Sequence, residues 1–214
     1  MKKTSTVILA MAVLSLSLFK TTAVQAQKGG DAPPSVITAG VGWSLVGALF
    51  GVLNNSVPDS SSVDLRQTPV IIGSYDYYIS PKFSIGAAYS YQSFTFEYSK
   101  YPVTNSQGVT YYATYKDVLK RMNFAVRPLF HFGSSDEIDP YFGLRLGYTQ
   151  WSSTTTNPDP YYNSLDFTTG SVGSPIKVQV LFGTRYWVAD FLGLNAEVAI
   201  GSPYLAMLGA NFRF

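Results

Sequence analysis

Alternation of apolar and polar positions with a period of two runs through most of the chain, and each alternating run stops where Gly, Pro, Ser or Asp accumulate. From Ile37 to about Leu45, Ile37, Ala39, Val41, Trp43 and Leu45 hold one parity, and Thr38, Gly40, Gly42 and Ser44 the other. Successive side chains of a strand point to opposite faces, so the spacing predicts a strand with one apolar face. Further strands are predicted over about 70–79, 83–92, 121–132, 140–148, 176–187, 194–201 and 204–214, about eight in all. In the second, Ile71-Ile72 and Tyr77-Tyr78 blur the phase, and Asp76 favours turning Tyr75 and Tyr77 to the apolar face. In the last, Tyr204, Ala206, Leu208, Ala210, Phe212 and Phe214 oppose Gly209, Asn211 and Arg213.

The connections sort into two kinds. Short ones fall at about 80–82, 133–138 and 188–191, and long polar ones at about 46–67, 93–118 and 152–175, in alternation apart from the clipped Gly201-Ser202-Pro203. An up-and-down barrel of the outer membrane has short periplasmic turns and long external loops, and this spacing puts every short turn on the side of both chain ends. The charges sort as well: Asp76, Arg121, Arg127, Arg145, Lys177, Arg185, Glu197 and Arg213 all avoid the apolar parity. A charge facing lipid at the bilayer midplane costs about 2–4 kcal/mol, so a membrane barrel turns its charges into the lumen. A soluble barrel with an apolar ligand cavity would do the reverse, and is the third reading; parity alone does not separate inside from outside.

Composition favours the membrane. Charged residues make up 13% of the 214, about half of the roughly 25% usual in soluble proteins. Aromatic residues make up 15%. The net charge of +2 comes without a clustered Lys/Arg stripe, which gives no footing for nucleic acid. The absence of cysteine rules out disulfides, thiolate metal sites and a cysteine nucleophile. At the N-terminus, Lys2 and Lys3, the apolar run Val7–Phe19 and Val24-Gln25-Ala26 predict a secretory signal peptide over 1–26, followed by a flexible lead-in over 27–34 and a barrel domain over 35–214. No later run is long enough for a membrane-spanning helix; the best, Leu45 to Leu53, is about half the roughly 20 residues required.

Phe83, Phe130, Phe132, Phe142, Tyr186, Phe212 and Phe214 fall near the predicted periplasmic ends, and Trp43, Tyr89, Tyr91 and Tyr148 near the opposite ends, as two aromatic girdles would. With its terminal aromatic on an alternating strand and the segment Pro140-Tyr141-Phe142-Gly143-Leu144-Arg145-Leu146-Gly147-Tyr148, the chain from about residue 35 to 214 resembles the eight-stranded outer-membrane barrels of the OmpA/OmpX type. The resemblance is one of pattern. It implies an all-β, eight-stranded antiparallel up-and-down transmembrane β-barrel, with Phe214 and Phe212 as assembly signal. It also implies a place in the outer membrane of a diderm, Gram-negative bacterium, among lipid and lipopolysaccharide, reached through periplasmic chaperones and the barrel-assembly machinery. Nothing follows the last strand to suggest a peptidoglycan-binding domain.

Candidate chemistry is sparse. His131 is the single histidine and sits at the periplasmic end, whereas lipid A-modifying barrels of this size, the alternative function, work at the outer leaflet. Catalysis, a metal and a cofactor are therefore not expected. The lumen is expected to hold a charge cluster, with Glu197 between Arg127 and Arg145, and with Asp76 serving Arg185 or Arg213. Function is expected instead in loops where Tyr98, Tyr101, Tyr111, Tyr112, Tyr115, Tyr161 and Tyr162 alternate with Ser, Thr and Asn, a composition suited to contacting an extracellular ligand. The reading is a structural or surface-interaction protein with a closed lumen.

Overall fold

The computed structural model describes residues 35–54, 62–104, 107–133, 137–156, 165–167 and 175–214. The predicted signal peptide and lead-in, and Tyr161 and Tyr162, lie outside the described residues. In chain order the elements are β1 (Ser35–Trp43), helix α1 (Leu45–Asn54), β2 (Ser62–Gln67), β3 (Val70–Ser80), β4 (Phe83–Thr104), β5 (Thr110–His131), β6 (Ile138–Thr156), β7 (Leu165–Phe167), β8 (Ile176–Trp187), β9 (Leu192–Gly201) and β10 (Ala206–Arg213). Eight of these strands, all but β2 and β7, pair antiparallel with their chain neighbours, and β10 pairs with β1 from Val36↔Arg213 to Trp43↔Ala206. The sheet closes on itself. Closure leaves the barrel strands without a free edge, the condition a backbone must meet inside hydrocarbon.

The start of β1, the end of β10 and the short connections β3–β4, β5–β6 and β8–β9 lie at one end of the barrel, here the terminal end; the opposite end is the loop end. Of the three stretches expected as long loops, 93–118 is largely strand, and strand also enters 152–175. β4 and β5 run 22 residues each and pair past the expected loop start, from Phe94↔Leu119 to Thr104↔Thr110. The stretch is rich in Thr, Tyr, Phe and Val, all strand formers, and sets Glu97 directly opposite Lys116. β6 continues to Thr156, and β7 pairs with it. The wall of β4, β5 and β6 therefore rises well above that of β1, β9 and β10, which have 9, 10 and 8 residues.

The described residues of the stretch 46–67 form α1 and β2. Ser44 caps the helix, its Oγ accepting from the Gly47 amide at 3.1 Å and its carbonyl from the Ala48 amide at 3.2 Å. Strand alternation thus ends at Trp43, and Leu45 belongs to the helix.

The faces separate as the alternation predicts. Outward positions through the span are apolar and open: Ile85, Phe124, Val126, Leu144, Leu146, Val180, Phe182 and Val198 are exposed, while the charged Asp76, Arg127, Arg145, Arg185 and Glu197 are buried in the lumen. So broad an apolar exterior is incompatible with water and matches hydrocarbon, and the protein is a transmembrane barrel. At the terminal end, Phe130 and Phe132 lie 5.3 and 6.2 Å from Phe142. Nearer the loop end, Tyr89 lies 5.0 Å from Phe124. Tyr204 departs from the expected face. It lies between Gly201, at φ +120°, and the start of β10, where the chain is outside the ladder and alternation has no hold; its side chain is fully buried in the lumen.

Candidate functional site

Register builds the lumen cluster through two glycines. Asp76 on β3 pairs with Gly86 on β4, and Gly86 with Arg127 on β5, so the arginine lies across a position without a side chain to reach the carboxylate. A Cβ at Gly86 would overlap Asp76 Oδ1 and sit 3.0 Å from Arg127 Cγ. Likewise Glu197 on β9 pairs with Gly183 on β8, and Gly183 with Tyr141 on β6, whose ring occupies the space above the glycine. Each row carries one acidic side chain across a gap.

These rows interlock. Arg127 Nε stands 3.2 Å from Asp76 Oδ1, and its Nη2 3.0 Å from Glu197 Oε2. Glu197 Oε2 also accepts from the Tyr141 hydroxyl at 2.7 Å, and Oε1 accepts from the Tyr204 hydroxyl. Arg185 Nη2 donates to Asp76 Oδ2 at 2.5 Å, and its Nη1 to the Tyr78 oxygen at 2.6 Å. Both arginines and both carboxylates are at most 2% exposed. A buried ion pair stands only when geometry and further hydrogen bonds offset the cost of desolvation, and here three tyrosine hydroxyls supply those bonds.

Arg145 is not the partner of Glu197 expected from counting up the strands. It pairs in register with Gln179, farther toward the loop end than Tyr141, and its Nη2 donates to Asn123 Oδ1 at 2.9 Å. Its guanidinium lies 5.4 Å from the centre of the Tyr204 ring, so Tyr204 stands between it and Glu197. Arg121 lies nearby in the loop-end half, donating to Gln92 Oε1 and to the Pro203 carbonyl, each at 2.6 Å. Arg213 is not in the lumen cluster either. It is the last residue of β10, where its guanidinium stacks 4.3 Å over Trp187 and donates to the Asp190 carbonyl at 2.9 Å. Asp76 instead serves Arg185 and Arg127.

The terminal end of the lumen holds an arrangement that the sequence did not disclose. Ser84 Oγ is 2.9 Å from His131 Nε2, and His131 Nδ1 is 2.8 Å from Asp139 Oδ1. These are the distances of a serine–histidine–aspartate relay. Its surroundings differ from those of a hydrolase. Ser84 is fully buried, the His131 ring is covered by Tyr78 at 4.5 Å and Tyr141 at 5.8 Å, and Asp139 Oδ2 accepts from Tyr78 at 2.6 Å. Ser84, near the start of β4, is also paired on both sides, with Tyr78 and with Leu129, so the backbone there serves the sheet rather than a developing oxyanion. Among the described residues no group of three or more His, Cys, Asp or Glu could hold a metal ion.

Of the expected surface contacts, Tyr101, Tyr111 and Tyr112 belong to the strands of the projecting β4–β5 hairpin, in the pairs Tyr101↔Ala113, Val103↔Tyr111 and Pro102↔Tyr112. Tyr112 is 73% exposed. Lower on the hairpin, partial burial and the Asp117 carboxylate raise the Tyr98 phenol above its ordinary pKa. Phe212 pairs with Ile37 and Leu192, and Phe214 follows β10 with its side chain exposed.

No family model matches the chain, and no curated protein does. Solved structures resemble it in fold. Ail, the attachment invasion locus protein of Yersinia pestis, crystallised with the heparin analogue sucrose octasulfate, has 12% identity and a TM-score of 0.46, covering 86% of this chain and 100% of that one. The N-terminal β-barrel domain of Pseudomonas aeruginosa OprF has 14% identity and a TM-score of 0.44, covering 86% and 98%. A de novo designed transmembrane β-barrel has 13% identity and a TM-score of 0.43 over the same shares.

Proposed function

We propose that this chain is a small integral protein of the outer membrane of a Gram-negative bacterium, with a structural or surface-interaction role and no catalysis. It is exported by its signal peptide, carried by periplasmic chaperones to the barrel-assembly machinery, and surrounded by outer-membrane lipid and lipopolysaccharide. The observation that carries the reading is the β4–β5 hairpin, which continues in paired register beyond the lipid-facing belt as an arm bearing Tyr101, Tyr111 and Tyr112. A lumen packed with Arg127, Arg145, Arg185 and Tyr141, each at most 1% exposed, supports a closed barrel rather than a pore. Shortening the arm between Gln92 and Arg121 separates the two roles. The trimmed barrel should still assemble and show heat-dependent gel mobility while cells carrying it lose attachment to protein-coated surfaces. Unchanged attachment would remove the surface-interaction role.

The Ser84–His131–Asp139 relay favours a second reading, a hydrolase or acyl-transfer enzyme. Burial of Ser84 and engagement of its neighbouring amides support a structural plug instead. A fluorophosphonate probe applied to the folded barrel discriminates them. Labelling that vanishes in Ser84→Ala would establish the enzyme.

A further inference from the structure

Helix α1 has the sequence Leu-Val-Gly-Ala-Leu-Phe-Gly-Val-Leu-Asn, with no charged residue. Leu45 and Leu49 are 54% and 55% exposed, Ala48 is exposed beside them, and Val52 is 64% exposed. At this spacing the four share one face of a helix. Gly47 is buried on another side, where its carbonyl accepts from Gln67 Nε2 at 3.2 Å and an added Cβ would overlap Gln67 Oε1. Ser44 completes the attachment, its Oγ donating to Gln92 Oε1 at 2.9 Å. The helix is thus fastened to the barrel rim by polar contacts on one side and presents aliphatic side chains on another.

The helix begins beside outward-facing residues of the belt. Trp43, 58% exposed, ends β1 one residue before the helix, and its carbonyl accepts from the Leu205 amide at 2.7 Å, bringing the exposed Leu205 alongside. Ile200, at the loop end of β9, is 80% exposed. These residues lie on the low side of the barrel, where β9 and β10 are joined by the short stretch 202–205. A free amphipathic helix at a membrane surface needs its own charged face. Here the barrel rim takes that place.

We propose that α1 is an interfacial helix whose Leu45–Ala48–Leu49 face is covered by acyl chains of the outer leaflet, extending the lipid contact of the low wall sideways along the membrane surface. The proposal rests on the outer-membrane reading. The natural chain has no cysteine, so single substitutions accept a nitroxide label at one position each. Leu49→Cys and Leu45→Cys are compared, in the full mature barrel reconstituted into phosphatidylethanolamine/phosphatidylglycerol vesicles, with Phe124→Cys on the belt and Tyr112→Cys on the arm. Heat-dependent gel mobility verifies that each variant is folded.

The expected result is a ratio of oxygen to nickel-chelate accessibility at Leu49→Cys and Leu45→Cys that matches Phe124→Cys and stands several-fold above Tyr112→Cys. Nickel access at the helix equal to that at Tyr112→Cys overturns the proposal. So does protection from both reagents, which means that protein covers the face. If Phe124→Cys itself is open to the nickel chelate, the membrane reading fails; if it is oxygen-accessible and the helix is not, only the helix inference fails.

Discussion

The two halves of the lumen solve the same problem, buried arginine, by different chemistry. In the terminal half Arg127 and Arg185 face Asp76 and Glu197, two cations against two carboxylates, with Tyr78, Tyr141 and Tyr204 adding hydrogen bonds. In the loop-end half no carboxylate contacts Arg121 or Arg145 among the described residues. Arg121 has the Gln92 amide, the Pro203 carbonyl and the Trp151 ring at 5.6 Å; Arg145 has the Asn123 amide and the Tyr204 ring. Arginine's planar, weakly hydrated guanidinium accepts such neutral partners, and aromatic faces contribute through their quadrupole. A carboxylate has no such recourse. Each buried acid in this lumen is met by a cation, whereas the buried arginines are not all met by an acid, and the cost of removing a group should follow that asymmetry.

The largest loss of stability is expected for Asp76→Asn, because Asp76 is the carboxylate shared by two buried arginines, and its loss leaves Arg185 with only the more distant Asp139. Breaking one buried pair costs about 3–5 kcal/mol, and the urea unfolding midpoint of Asp76→Asn should drop by at least that equivalent. Glu197→Gln should follow, at the low end of the same range of about 3–5 kcal/mol, since Arg127 loses one of its two carboxylates and keeps Asp76. A double-mutant cycle sharpens the point. Glu197→Gln with Arg127→Met should recover part of the loss, by roughly 1–3 kcal/mol, whereas Glu197→Gln with Arg145→Gln should be nearer additive because Tyr204 intervenes. Strong coupling to Arg145 and none to Arg127 would reverse the assignment of partners.

Smaller effects are expected in the loop-end half. Arg121→Met leaves no acid unpaired, so its midpoint should move by less than that of Glu197→Gln, with a gain in stability permitted. A drop as large as that of Asp76→Asn would dissolve the contrast between the halves. Smallest of all, Arg213→Gln and deletion of Phe214, both outside the lumen cluster, should shift unfolding by about 0.5 kcal/mol or less. Deleting Phe214 should nevertheless lower the amount of assembled barrel in the membrane, measured by heat-dependent gel mobility. Normal levels would remove it as an assembly signal.

Face, strand count and turn position were legible along the chain because each is a local property. The alternation through Phe142, Leu144 and Leu146, the charges confined to the other parity, and the breaks at Ser80-Pro81-Lys82 all belong to single strands or neighbouring residues. The same local logic misplaced Tyr204, where the chain leaves the ladder, and treated the paired stretch between Phe94 and Leu119 as a loop because its residues are polar. Partnership within the lumen was a tertiary matter. It follows from register and from the tilt that a closed barrel imposes, which shifts levels between strands by amounts no single strand encodes. Counting up from the turns matched Glu197 with both Arg127 and Arg145, whereas in the structure Arg127 lies 3.0 Å from it and the ladder sets Gly183 and Tyr141, not Arg145, beside it. For the same reason His131 looked solitary in the sequence. Only the closing of β3, β4, β5 and β6 around one end of the lumen brought Tyr78, Ser84 and Asp139 to its ring.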